Sequence, residues 1–476
     1  MIYDIRVDKH ILLIMTNYPE TSIQLQKAAL YMVLLNCFTT PMMLSAANVA
    51  LPSIARDLNI HAVLLSWIPM AYLMASAMFV LIFGRLADMF GRKRVFIIGT
   101  ISVIVTSLIA AFSVNGPMLI AARFFQGISA AMLYATQIAI VSSVFPPSKR
   151  GHAIGLTTSM IYLGLTCGPL FGGTLIDHFG WRSAFIFHIP FAIIVLCIAA
   201  MKVPGEWSSD EKGSFDITGA VIYSFSIVIL CIGVSTLPHL ASIAAIIIGL
   251  AGMVLFFYIA RITTHPIFDV RLFFTNRIFT LSCLAAFVIY SATYANVVLI
   301  SLYLQYLKGM TATTAGLIMM IQPMTMAVFS PLTGKLSDWV EPRVIATIGM
   351  VLTTGGLFML ALINGIDSLY YLIVALVITG LGFSLFSSPN SNAIMSAVEK
   401  RYYGSAAGSI ATMRTLGQMN SMVLVTLVFA LIIGQVEIQP ENYADLQKSI
   451  QLCFTIATSL CVFGIIFSMV RGRVHS

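Results

Sequence analysis

Fourteen stretches of this chain are long and apolar enough to cross a bilayer, and the short connections between them carry nearly all of its charge. A helix needs roughly 20 mainly apolar residues to span the hydrocarbon layer. Lipid offers no hydrogen bonds, so each span must satisfy its own backbone, which a helix does. The stretches run approximately over 28–50, 64–86, 95–113, 117–139, 152–174, 183–201, 215–236, 240–260, 278–304, 312–334, 343–363, 369–391, 404–434 and 449–470. Only 9% of the 476 residues are charged and 59% are apolar, whereas a soluble chain carries about a quarter charged residues. The pattern predicts an all-α polytopic membrane protein. A net charge of +8 would by itself suit a nucleic-acid binder, but the cations are scattered over many short connections. Nucleic acid is therefore not an expected partner; the lipid bilayer is.

The cations also orient the chain. An even number of spans puts both termini on one side. With that side cytoplasmic, 20 of the 26 lysines and arginines fall in cytoplasmic segments, including Arg471 and Arg473 at the carboxyl end. Four (Arg56, Arg182, Lys308 and Lys448) fall outside, and two, Arg123 and Arg414, lie within spans. Cytoplasmic loops collect lysine and arginine. The expected location is thus the plasma membrane, with cytoplasmic tails at 1–27 and 471–476. No signal peptide is expected, because the apolar piece around 11–15 is short and no small-residue cleavage site follows; a start at Met15 is the alternative. Two longer hydrophilic connections, 202–214 and 261–277, bracket spans 7 and 8. They divide the chain into six spans over 28–201, an inserted pair within 202–277, and six more over 278–470.

Several function classes drop out. The seven cysteines all fall in apolar runs without metal-ligand spacing, so they read as small buried hydrophobes rather than disulfides or a zinc site. No phosphate-binding loop is present, so direct use of ATP is not expected. No cluster of acids or histidines marks a membrane-embedded enzyme, and no cofactor is expected. A membrane sensor or scaffold would have no soluble domain to signal with.

The most informative connection is 84–94, GRLADMFGRKR, in which Gly84, Asp88 and Gly91 precede Arg92, Lys93 and Arg94. A carboxylate at a helix amino terminus gains about 0.3–1 kcal/mol from the dipole, which is the expected setting of Asp88. A degraded second copy, GKLSDWVEPR at 334–343, keeps Gly334 and Asp338 after span 10. Span 4 holds Arg123, Gln126 and Gly127; a charge there costs at least ~2.5 kcal/mol and needs a partner or a wet cavity. Span 5 holds Gly164, Gly168, Pro169, Gly172 and Gly173. Small residues four apart let helices approach closely, and the proline permits a kink. Span 13 carries Arg414 with Gly417 three residues on.

Taken together, these residues resemble the major facilitator superfamily, and in particular its fourteen-helix drug/proton antiporter branch. NVALPSIARDL at 48–58 and WRSAFIFHIP at 181–190 resemble the same branch. The resemblance covers about 28–470 and implies the major facilitator fold: two six-helix bundles plus two inserted helices, rocking about a central cavity. It implies that Asp88 docks on the opposite bundle, that Arg123 takes part in proton coupling, and that the glycine-rich span 5 marks an exporter. The implied activity is secondary export of hydrophobic or amphipathic small molecules, with protons as the coupling ion; export of one endogenous metabolite is the alternative. One departure stands out. Relatives of this branch commonly hold an aspartate in helix 1 where this chain has Met43, and all 18 acidic residues here lie in connections or at span ends. The substrate path therefore reads as neutral and polar. Its expected residues are Asn36, Thr40 and Asn48 in span 1, Tyr134 and Gln137 in span 4, Tyr290 and Tyr294 in span 9, Gln322 in span 10 and Asn390 in span 12. Methionines beside Pro41 and Pro323 supply a pliable apolar wall.

Overall fold

The computed structural model describes residues 23–472, apart from 208–214, 238, 265, 269, 338, 364–367 and 400–402. Fourteen helices long and apolar enough to cross a membrane follow one another. They are α1 (Ile23–Val49), α2 (Ala62–Phe90), α3 (Arg92–Ala111), α4 (Gly116–Val144), α5 (Ala153–Phe179), α6 (Ser183–Met201), α7 (Ile217–Ser235) and α8 (Leu240–Ile262). The series continues with α9 (Arg277–Leu307), α10 (Ala312–Leu336), α11 (Pro342–Ala361), α12 (Leu369–Ser396), α13 (Ala406–Ile432) and α14 (Pro440–Val470). All fourteen expected spans are present. Several helices outrun their apolar stretch, because polar residues such as Gln24, Gln26 and Lys27 end the membrane but not the helix. The α1 helix thus begins five residues before the expected span, and α2 runs on through Asp88 to Phe90.

The packing repeats with a shift of eight helices. In the first half α1 packs on α5, α2 on α4 and α3 on α4; in the second half α9 packs on α13, α10 on α12 and α11 on α12. The halves meet where α5 packs on α10 and α13 on α2. That is the signature of two similar six-helix bundles facing each other. The inserted helices α7 and α8 pair with one another, and α7 alone lies on the seam between α2 and α13. On α8, Ile247, Ile248, Leu250 and Val254 stay exposed, as a lipid-facing helix requires.

Lipid gives helices no hydrophobic reason to associate, so close contact must come from small residues and interhelical hydrogen bonds. Span 5 shows how. A Cβ at Gly164 would overlap the Phe38 carbonyl; one at Gly168 would stand 2.7 Å from the Met42 oxygen, and one at Gly172 2.6 Å from the Ala46 side chain. Three glycines at four-residue spacing therefore seat α5 flush against α1. Gly173 points elsewhere: its Cβ would overlap the Ala312 carbonyl of α10, and a Cβ at Gly316 would overlap the Pro169 carbonyl in return. The double glycine thus serves two partners, one in each half. Gly127 similarly admits the Tyr72 carbonyl of α2 to α4.

Two helices are interrupted where they border the interior, and a third carries a proline without breaking. The α9 helix breaks at Tyr294–Ala295 and closes with a π-helical turn at Tyr303–Leu307. The α10 helix breaks at Met320, just before Pro323, and Pro389 sits inside α12. Proline and wide turns release backbone groups and redirect side chains. Of the seven cysteines, all free, five are buried, whereas Cys167 is half-buried and Cys197 is exposed on α6. The expectation of uniform burial fails at Cys197 because a membrane helix can present apolar residues outward at little cost.

Candidate functional site

Between the halves lies a cavity of about 370 Å³. Its wall follows helical faces. On α5 the lining residues Ile154, Thr157, Thr158, Ile161, Leu165 and Pro169 recur at the three-and-four spacing of one helix stripe. That stripe adjoins the glycine stripe, so one helix both grips α1 and faces the cavity. On α13 the lining residues are Ala407, Ile410, Arg414 and Gln418, again one stripe. Among the described residues, Arg414 is the single charged residue of the wall and no carboxylate lines it.

Exposure grades along the cavity. Towards the end carrying the 84–94 turn, Thr158 is exposed and Ile154, Met395 and Ala407 are half-buried. At the far end Asn48, Asn296 and Ile300 are only 2%, 1% and 3% exposed. The cavity is therefore accessible from the basic-turn face and closed at the opposite one. The closure consists of named contacts between halves. Asp177 of α5 accepts hydrogen bonds from the main-chain N–H groups of Ala312 (3.2 Å) and Thr313 (2.8 Å) at the start of α10. Ser66 Oγ donates to Thr426 Oγ1 at 2.9 Å, and the Ala62 N–H donates to the Val436 carbonyl at 2.9 Å. Gln305 Nε2 donates to the Val49 carbonyl at 2.9 Å, and Arg56 stands 5.1 Å from the centre of the Tyr306 ring. Nearer the basic-turn face the halves touch through the hydroxyls of Tyr162 and Ser387, 3.0 Å apart.

Six of the nine expected substrate residues line this cavity: Asn48, Tyr134, Gln137, Tyr290, Tyr294 and Gln322. Asn48 Nδ2 donates to the Tyr294 hydroxyl at 3.5 Å, joining α1 to α9. The other three face helices instead. Asn36 donates to Gln137 Oε1 (3.3 Å) and accepts from Thr40 (3.2 Å), so this pair buttresses the wall from behind. Asn390 donates to the Ser282 carbonyl (3.0 Å) and accepts from Arg471 Nη1 (2.6 Å). Arg471 corrects the expected carboxyl-terminal tail: it is fully buried and also reaches Ser282 Oγ at 3.2 Å, tying the end of α14 to α9 and α12. Residues that sequence reasoning passed over include Tyr162 and Gln418, each one polar side chain among several on its helix. Only their position on the lining stripe gives them away. Among the methionines, Met319 and Met326 line the cavity, while Met324 faces outward, 49% exposed.

The residues expected to gate and couple are placed as follows. Asp88 lies in the last turn of α2 rather than at a helix amino terminus, because the chain turns only at Gly91, whose φ of +113° suits glycine alone. Asp88 accepts from Arg92 Nε (2.9 Å) and Nη2 (2.7 Å), and Arg92 also donates to Ser143 Oγ (2.5 Å) on α4. Glu206, from the connection after α6, accepts from the Lys93 and Arg94 N–H groups (2.7 and 3.1 Å). It caps α3, where a carboxylate complements the helix dipole. No Cβ at Gly84 would meet anything within 4 Å. Asp338 lies outside the described residues. Arg123 is fully buried, so it does not reach to the membrane surface. It donates to Gln126 Oε1, whose amide donates to Ser107 Oγ (2.6 Å), which is 3.2 Å from His188 Nε2. Its guanidinium lies 4.5 Å from the centre of the Tyr72 ring. Tyr72 and Tyr134 share a hydrogen bond of 3.0 Å, and Arg414 stands 5.6 Å from the Tyr134 ring.

A family profile described as Major Facilitator Superfamily matches residues 33–421. The chain belongs to the major facilitator superfamily. It is therefore a transport protein and not an enzyme. Relatives of this superfamily member include the riboflavin transporter RibZ of Clostridioides difficile (strain 630), 30% identical over 431 residues, covering 89% of this chain and 93% of the relative. The multidrug resistance protein Stp of Mycobacterium tuberculosis (strain CDC 1551 / Oshkosh) is also 30% identical, over 390 residues, covering 80% and 72%. Among solved structures, a POT family transporter in complex with 5-aminolevulinic acid matches with a TM-score of 0.71 at 15% identity, covering 94% and 98%. At that identity the likeness is one of fold. The relatives named for multidrug resistance place the chain alongside the drug-efflux branch of the superfamily.

Proposed function

We propose that this superfamily member exports amphipathic small molecules by alternating access, loading them from the basic-turn face and releasing them at the far face. The carrying observation is the central cavity, accessible at one end and closed at the other by contacts between halves that can part without unfolding either half. The distribution of lysine and arginine supports a cytoplasmic basic-turn face and internal tails, with loading from the cell interior. Relatives named for multidrug resistance support a broad cargo, as do the pliable Met319 and Met326 in the wall.

Proton coupling through Arg123 belongs to the same proposal. Support comes from the resemblance and from the buried line joining Arg123, Gln126, Ser107 and His188 across α4, α3 and α6. Asp88, Arg92 and the α5 glycines are assigned to switching between the two access states. In reconstituted vesicles an imposed proton gradient should accelerate dye export several-fold, and Arg123→Ala should remove that acceleration. Gradient-independent export by the intact protein overturns the coupling and leaves the exporter.

A narrower reading, one endogenous metabolite, is favoured by Asn296. Its side chain lines the cavity, is 1% exposed, and leaves both amide atoms without a partner. A buried amide of this kind rejects ligands that cannot pair with it. Measuring export over a chemically broad panel decides between the two readings. Movement of one compound class alone leaves the narrow one standing.

A further inference from the structure

The cavity has a charge that nothing in its own wall answers. Among the described residues Arg414 is its single charged lining residue, and no ion pair joins it. Its guanidinium stands over the Tyr134 ring, 5.6 Å from the centre. Behind that ring a second cation stands on the same line. Tyr134 is hydrogen-bonded to Tyr72, and Arg123 lies over Tyr72 at 4.5 Å. Two arginines, one from each half, therefore flank a pair of tyrosines, and neither has a carboxylate partner among the described residues. Arg123 is held by the Gln126 side chain and the Ile68 carbonyl and is sealed from the cavity. Arg414 is half-buried and reaches the open space.

A cation at membrane depth is stable only with a partner or with water. Charge–charge interaction grows as the local dielectric falls. A guanidinium offers a planar fork of N–H donors that fits a carboxylate with two parallel bonds. Further along the cavity the wall is aromatic and soft: Tyr290 packs edge-on against Phe383 at 5.4 Å, and Met319 faces the same space. We infer that the preferred cargo is an aromatic organic anion, whose carboxylate or similar headgroup pairs with Arg414 while its ring system lies against Phe383 and Met319. The inference deepens the exporter reading and rests on it. It also sets this cavity apart from one built for cationic drugs. Two cations and no acid repel a positively charged ligand, and the position where relatives hold an aspartate is Met43, buried against Gln126.

The test is a charge series on one ring. Naphthalene-2-acetate, naphthalene-2-acetamide and (2-naphthylmethyl)trimethylammonium differ in charge and share the aromatic body. Their binding to purified full-length protein in neutral detergent, with empty micelles subtracted, is the readout. The acetate should bind about 10- to 100-fold tighter than the amide, the gain expected when a charge-assisted pair forms, and the ammonium weakest of the three. In Arg414→Gln the acetate-to-amide ratio should fall to about one, and Arg414→Lys should keep part of it. The charge series on the unaltered protein stands even where Arg414→Gln fails to fold. Equal binding of the three probes, or tightest binding of the ammonium, overturns the anion preference and leaves the exporter reading intact. No binding of any probe above empty micelles overturns both.

Discussion

At the far end of the seam the two halves are joined by main-chain and side-chain hydrogen bonds; towards the basic-turn end a tyrosine–serine pair joins them and the lining residues are more exposed. Under the proposed alternating access, the contrast corresponds to one of two states. It also shows where sequence is spent: the closed end uses helix termini and exact glycine positions, whereas the open end is lined by side chains that remain half-exposed. Closing one end while opening the other needs the far contacts to be individually weak. Each net hydrogen bond contributes about 0.5–1.5 kcal/mol, so several can be exchanged for others within one cycle.

The strongest way to separate the two regions is to overpack a contact that belongs to neither. Gly164→Val drives a side chain into the Phe38 carbonyl inside the first half, and it should lower stability by about 3 kcal/mol or more, at the upper end for overpacking. Thermal unfolding of the purified protein checks this; unchanged stability would mean that α1 and α5 do not pack as described. Gly173→Ala strikes the seam instead. Its methyl would meet the Ala312 main chain and prise α5 from α10, so an engineered Asn48→Cys should react about tenfold faster with a membrane-impermeant thiol reagent added at the far face. Asp177→Asn weakens the same seam less, by about 1 kcal/mol as for a lost helix cap, and should raise labelling a few-fold.

The smallest effect lies beside the seam. Asp57 accepts from Trp181 Nε1 and from Arg182 Nη1, both at 2.8 Å, and all three belong to the first half. The Trp181 indole, followed by the Arg182 guanidinium, holds the Asp57 carboxyl below its usual range. A depressed folded-state value means that this stabilisation is present above the ordinary carboxylate pKa and is lost as pH falls through the lower, folded one. Both side chains are close to half exposed, so Asp57→Asn should cost under about 1 kcal/mol. It should leave far-face labelling of Asn48→Cys unchanged. A rise in labelling would show that this pair belongs to the closure after all.

Much of this was legible in the chain. Hydropathy gave the helix count, and the glycines of span 5 marked it as a closely packed helix. All nine substrate candidates were recognisable as polar residues at membrane depth, and six of them line the cavity. The other three differ for one physical reason: a polar residue inside a span must bond to something, and sequence does not say whether that is a cavity or another helix. Asn36, Thr40 and Asn390 bond to helices. Arg471 reads as a tail residue because it follows an apolar run, yet Asn390 and Ser282, far away in sequence, give it a buried seat. Glu206 could not be foreseen as the cap of α3, since 113 residues separate it from Lys93. Asp88 was misplaced by one helix end because hydropathy locates the membrane rather than the turn.

The central claim is that the far-end closure must open for cargo to leave. Ser66 and Thr426 face each other across it at 2.9 Å, so Ser66→Cys with Thr426→Cys, in a background freed of the seven native cysteines, can be locked by oxidation. Transport by reconstituted protein should fall to the level of empty vesicles when the disulfide forms and return on reduction. Undiminished transport through the locked protein would contradict the account.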